Sequence, residues 1–217
     1  MSSTQLTSVT RSLAINVYQL WDESNDLSLH QWFGNLEDQH SAEKLSAFVR
    51  HLGESVGAKI LNLSSTSYEP FGASVALLVG QELSQLAHLD ASHIAVHSYF
   101  DSSEQCGQFR LEVEISTCGV PKPTKLIADV VGHCAADFMQ VDYRTRGISW
   151  SEKGQPSLVN EAMVKEDIDQ MLLEVPEYQL RHSSGFGERS VYMELVRSDL
   201  DPNVEGIIDS MLRNQIQ

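Results

Sequence analysis

Cationic side chains are scarce in this sequence: 15 Lys and Arg stand against 30 Asp and Glu, a formal net charge of −15. That shortage argues against nucleic acid or an anionic membrane as partner, because both demand clustered positive charge. An acidic field suits a small cationic ligand, which it steers and concentrates, although many acidic proteins bind none. Long apolar runs are missing as well, so no membrane span is predicted. The opening MSSTQLTSVTRSLAINVYQLWDE has no basic stretch leading into a purely apolar one, so no signal peptide is predicted. Cysteine is limited to Cys106, Cys118 and Cys134, without CxxC spacing. This signals neither a disulfide framework nor a zinc site and points to a reducing cytoplasm. GxSxG is absent, which leaves a Ser-His-Asp hydrolase unsupported. The glycine-rich GFG at 185–187 lacks the remaining spacing of a phosphate loop.

What is present suffices for a core. Of 217 residues, 41% are hydrophobic and 21% charged, which predicts one compact domain over 1–217. Leu6, Val9, Leu13, Val17 and Leu20 recur at helical spacing and predict a helix over 5–21. Ser41 is set to cap a second helix that turns Leu45, Phe48, Val49 and Leu52 inward and ends at Gly57. Strands follow at 58–64 and 73–80, the second apolar enough to be buried on both faces, with turn chemistry at 69–72 between them. QELSQLAH reads as a short helix. Strict alternation then marks strands at 92–100 and 108–118. A helix over 124–138, a strand over 140–150, a helix over 160–174, a strand over 189–197 and a helix over 203–214 complete the series. The class is α+β: a two-layer sandwich of a mainly antiparallel sheet with helices on one face.

Alternation also sorts the polar residues. Glu112, Glu114, Ser116 and Cys118 share the face of one strand opposite its apolar side, and His93 and His97 share one face of another. A solvated sheet face explains such a pattern without any function. Arg144 and Arg146 have the chemistry to grip a carboxylate, but ion pairing with the abundant acids is the simpler expectation. Trp21, Trp32 and Trp150 read as packing residues.

Four blocks in order change that reading: YEPFGASVALLVG (68–80), HLDASHIAVHSYFD (88–101), FRLEVEISTCGV (109–120) and VDYRTRG (141–147). Together they resemble the S-adenosylmethionine decarboxylase proenzymes, in particular their longer bacterial branch, from about residue 57 to 150. The resemblance implies a chain that cuts itself between Ala91 and Ser92 and converts Ser92 into a pyruvoyl cofactor. The serine hydroxyl attacks the preceding carbonyl, turning amide into ester. Elimination leaves dehydroalanine, and hydrolysis then yields pyruvoyl and ammonia. The products would be 1–91 and 92–217, which stay associated. By the same resemblance His97 and Ser74 assist the proton transfers of processing. Cys118 is implied as the acid that reprotonates the substrate carbon after CO₂ leaves, with the pyruvoyl carbonyl as electron sink. Tyr68 and Phe71 sit where the family stacks an aromatic ring on adenine, and Asp101 where it holds the ribose hydroxyls. Strand parity puts Ser92 and His97 on opposite faces, which calls for an irregular strand entrance at Ser92.

Three departures bear on the substrate. Asp101 is one methylene shorter than the family's Glu, Ala91 replaces a Lys or Glu, and the connection between VALLVG and HLDASH is short. The expected activity is decarboxylation of S-adenosylmethionine for spermidine and polyamine synthesis. Ornithine or arginine decarboxylation on the same scaffold is the alternative, and an uncleaved non-catalytic partner subunit is the alternative from another class. The family also implies a homo-oligomer of cleaved chain pairs and, in its bacterial branch, Mg²⁺, for which the sequence shows no dedicated ligand spacing.

Overall fold

The computed structural model describes residues 8–80, 92–103, 106–118, 121–150, 154–185 and 189–214. Its frame is one antiparallel sheet in the order β2-β3-β4-β5-β1-β6-β9-β8, with β7 paired to β6 off this path. In chain order the elements are β1 (Ser8–Asp22), α1 (Leu29–Gln39), α2 (Ala42–Ser55), β2 (Lys59–Ser67), β3 (Ala73–Gly80), β4 (Ser92–Ser102) and β5 (Cys106–Cys118). A 3₁₀ turn (Pro123–Leu126) leads into α3 (Ile127–Cys134), β6 (Phe138–Trp150), β7 (Pro156–Leu158), α4 (Glu161–Leu173), β8 (Tyr178–Gly185), β9 (Ser190–Arg197) and α5 (Pro202–Asn214). The expected class is met.

The first element corrects the sequence reading, because residues 8–22 form the central strand and not a helix. A spacing of four is common to both periods: Val9, Leu13 and Val17 share a helix stripe and equally a strand face. Arg11 and Ile15 fill the gaps on that same face, completing an alternation of buried residues from 9 to 17. The β-branched Val9, Ile15 and Val17 pack well on a pleated surface. The strand β3 is a second correction. Ala73, Val75, Leu77 and Val79 are buried, whereas Ala76 and Leu78 are exposed, so only one face is covered. The segment expected as QELSQLAH lies outside the described residues.

The second helix forms as its sequence dictates. Ser41 Oγ accepts the Lys44 N–H, Leu45, Phe48, Val49 and Leu52 are buried, and Gly57 takes φ +68 just past the end. The helix α1 was not anticipated. It starts in a capping box between Ser28 and Gln31 and buries Trp32, Phe33 and Leu36. Helices α1 to α4 pack their apolar stripes on one face of the sheet, over Leu13, Ile15, Val113, Ile115, Val96 and Val141 among others. The helix α5 takes the opposite face: Ile208, buried, with Val204, Ile207 and Met211 meets Tyr18, Leu20, Phe138 and Val196 at one corner. Among the described residues no helix covers the remainder of that face, which carries the polar residues.

Candidate active site

Ser92 is the first residue of β4, and its Oγ accepts the backbone N–H of Cys118 at 3.1 Å. The ladder is regular at this point, with Ser92 paired to Val79 and His93 to Ser116. An irregular entrance was expected at Ser92; the ladder is regular from Ser92 onward, and the residues before it lie outside the described residues. Cys118 ends β5 and pairs with Thr10 of β1, whose Oγ1 lies 3.8 Å from the Cys118 sulfur. Ala91, the other half of the expected scissile bond, lies outside the described residues.

Ser74 and His97 make a second pair. They are direct cross-strand partners on β3 and β4, with Ser74 Oγ 2.7 Å from His97 Nδ1. His97 shares its row across the sheet with Glu112, Asn16, Gln140 and Glu194. Tyr18 donates to Gln140 at 2.9 Å, Gln140 donates to the Tyr192 oxygen at 2.9 Å, and Tyr192 donates to the buried Glu194 at 2.6 Å. Five residues of strand, at about 3.3 Å each, separate His97 from Ser92 by roughly 16 Å, and parity sets the two on opposite faces. The four expected catalytic residues thus form two pairs at two places.

The expected substrate-binding residues sit at the His97 end. Phe71 packs into an aromatic cluster, its ring centroid 5.9 Å from Phe33 and 5.4 Å from Phe100. Tyr68 is half-exposed and its N–H donates to the Gly72 carbonyl at 2.8 Å, closing the turn before β3. Asp101 is exposed and accepts the N–H of Ser102. Neither Tyr68, Phe71 nor Asp101 is near Ser92.

Next to Cys118, on the face without α1 to α4, lies a cavity of about 400 Å³ lined by Ser12, His93, Glu114, Asp142, Arg144 and Arg146, among others. One register row builds its floor: His93, Ser116, Ser12, Arg144 and Ser190 lie side by side on five consecutive strands. Arg146 donates to Ser12 at 3.1 Å, and neither it nor Arg144 makes an ion pair among the described residues, contrary to the sequence expectation. Burial raises the Asp142 carboxyl above its usual range, an effect partly offset by Arg144. The cavity joins two cations, two carboxylates and several hydroxyls, a lining suited to a zwitterionic ligand.

A buried ion cluster on the helix side was missed. Asp167 of α4 holds Lys122 at 2.6 Å and Arg11 at 3.3 Å, and accepts the Tyr143 hydroxyl. Burial, reinforced by the bond to Asp167, pushes the Tyr143 hydroxyl well above its ordinary pKa. A signal for it exists in the sequence. Asp167 falls on the stripe of Val164, Ile168 and Met171, and Arg11 on the column of Val9, Leu13 and Ile15. Two opposite charges at positions reserved for apolar residues imply that they meet. As for the other features, Trp32 is buried and Trp21 donates to the Leu27 carbonyl, consistent with packing. The side chain of Trp150 and most of GFG lie outside the described residues. Among the described residues no three His, Cys, Asp or Glu side chains converge to hold a metal ion, so the expected Mg²⁺ finds no ligand set there. No described helix is long and apolar enough to cross a membrane.

No protein-family model matches the chain. Curated relatives do. A protein from Pseudoalteromonas translucida named S-adenosylmethionine decarboxylase proenzyme is 27% identical, over 90% of this chain and 80% of its own length. One of the same name from Xanthomonas campestris is 30% identical over 70% of this chain, and the match spans 64% of that relative. A Xylella fastidiosa protein of that name is 29% identical with the same coverage. A solved adenosylmethionine decarboxylase from Aquifex aeolicus superposes with a TM-score of 0.43 at 16% identity, over 69% of this chain and 99% of its own.

Proposed function

From the premise that this chain is a homologue of the S-adenosylmethionine decarboxylase proenzymes, we propose that it cuts itself at Ala91–Ser92 and decarboxylates S-adenosylmethionine. The observation that carries the reading is the Ser92–Cys118 contact. A serine at the mouth of a strand accepts a backbone N–H from the residue that bears the thiol. That N–H orients the hydroxyl, and the thiol of the same residue lies beside Thr10.

The pyruvoyl group fits these residues. It would replace Ser92 at the first position of β4, where the Cys118 N–H that now reaches Oγ supplies a donor for a carbonyl oxygen. When present it supplies an electron sink for loss of CO₂. The chain's own residues do the rest. Cys118 holds the proton destined for the substrate carbon, and the neighbouring cavity binds the charged end of the substrate, with Glu114 and Asp142 toward its cationic groups. Tyr68, Phe71 and Asp101 are proposed for the nucleoside, at the distant end of β4. Serving one substrate molecule there requires them to come from a second copy of the chain, in keeping with an oligomer. Ser74 and His97 serve processing only if the entrance of β4 bends toward their face while the bond is cut.

A denaturing intact-mass spectrum tests the proposal. Two chains meeting at Ala91–Ser92, the second lighter by one ammonia than a serine terminus, are expected. A single uncut mass with no CO₂ release from S-adenosylmethionine would overturn it. Comparing release from S-adenosylmethionine, ornithine and arginine tests the substrate separately.

A further inference from the structure

The clamp formed by Asp167 reaches β1, the strand paired with β5 at Cys118, and Lys122 beyond the end of β5. Arg11 pairs with Thr117 across β1 and β5, next to the Thr10–Cys118 pair. Thr117 Oγ1 donates to the Pro121 carbonyl at 2.8 Å, which ties Pro121 to the end of β5. Lys122 follows directly, and its ammonium lies 2.6 Å from one carboxylate oxygen of Asp167. The other oxygen takes Arg11 at 3.3 Å and the Tyr143 hydroxyl. One buried carboxylate, its side chain 3% exposed, thereby fixes β1, β6 and the exit of β5 to α4. A surface pair could not do this: it would be screened and mobile, whereas a buried one resists separation because each partner left behind would be an unpaired charge.

We infer that Asp167 is a positioning residue for Cys118, acting through Arg11 and Lys122 to hold the end of β5 in register beside Thr10 and Ser92. The inference rests on the reading of Cys118 as the site thiol, but its test does not depend on turnover. In a Ser92→Ala background the chain carries three cysteines in three settings. Cys118 is half-buried at the clamped end of β5, Cys106 half-buried at the opposite end, and Cys134 buried under α3. Iodoacetamide labelling, read peptide by peptide by mass spectrometry, reports each separately. Asp167→Asn should raise the Cys118 rate several-fold while Cys106 stays constant and Cys134 stays protected. Lys122→Met, at a partly exposed position, should move Cys118 the same way by less, and covers the case in which Asp167→Asn does not fold. An unchanged Cys118 rate in folded variants would overturn the inference, as would a rise of all three cysteines together. Failure of the decarboxylase reading would show instead as an uncut wild-type chain, whatever the labelling ratio.

Discussion

Along β5 the odd-numbered Phe109, Leu111, Val113 and Ile115 are sealed beneath the helices. The even-numbered Arg110, Glu112, Glu114, Ser116 and Cys118 stand on the other face, half-buried or exposed. One strand thus serves two environments, and the period of two separates them residue by residue. The apolar column makes the sheet rigid, and that rigidity brings the polar rows into line: His93 beside Ser116, Ser12, Arg144 and Ser190 is a consequence of register, not of local contacts. Changes on the helix side should therefore act on stability, and changes on the open side on chemistry.

Ser92 is the exception to this division: it shares the covered face with Ile94 and Val96, yet its change should act on chemistry. Ser92→Ala should abolish cleavage entirely, leaving one full-length band on a denaturing gel, with the melting temperature nearly unchanged. Cys118→Ala should still cut but lose turnover, since its thiol is proposed for a later proton. A chain that cuts normally as Ser92→Ala would refute the assignment. On the helix side, Leu111→Ala should cost about 2–5 kcal/mol in urea unfolding, because a fully buried leucine leaves a cavity. Ser116→Ala, five residues along the same strand on the open face, should stay within about 0.5 kcal/mol.

Histidines sharpen the contrast further. His40 is buried against Phe109 and His133, with Nδ1 donating to the Leu36 carbonyl and Nε2 without a partner among the described residues. Burial lowers its pKa from 6.5 to about 4. Below pH 6.5 the unfolded chain binds a proton that the folded one refuses, so stability falls with pH from 6.5 down to about 4 and is fully present above 6.5. The loss approaches ~3 kcal/mol at the lower end. His40→Phe should flatten that slope in unfolding titrations, and an unaltered slope would assign it elsewhere. The smallest effect belongs to the rim: Arg181→Ala, which removes a half-exposed pair with Glu205 on α5, should change stability by less than about 1 kcal/mol.

Most elements were legible from periodicity, and the failures share a cause. Val9, Leu13 and Val17 fit a helix and a strand equally, and only Arg11 and Ile15 decide; an arginine in the buried column hides the alternation until its partner Asp167 is known. The helix α1 was concealed because only Trp32, Phe33 and Leu36 of its residues are buried, a narrow stripe between polar neighbours. In the site, the family resemblance named Ser92, Cys118 and the pair Ser74 and His97; the structure sets Ser74 beside His97 and brings Ser92 Oγ to the Cys118 backbone. Parity already separated Ser92 from His97 on one strand, but spacing alone could not reveal that Cys118 neighbours Ser92, nor that Phe71 belongs to an aromatic cluster with Phe33 and Phe100. Those facts depend on which strands become neighbours, and strand order is a long-range property.

The strand order has a consequence for the life of a cut chain. β1 lies between β5 and β6, so the segment before Ser92 contributes a middle strand, and β2 and β3 at one edge, of a sheet whose other strands come from the segment after it. Before cleavage, folding is unimolecular. After it, neither piece has a sheet it can close alone, and reassembly from denaturant becomes a second-order encounter that slows on dilution. The uncut Ser92→Ala chain should refold at a rate independent of concentration. A chain cut at the proposed bond should not, so that cleavage would be a one-way step in folding as well as in chemistry.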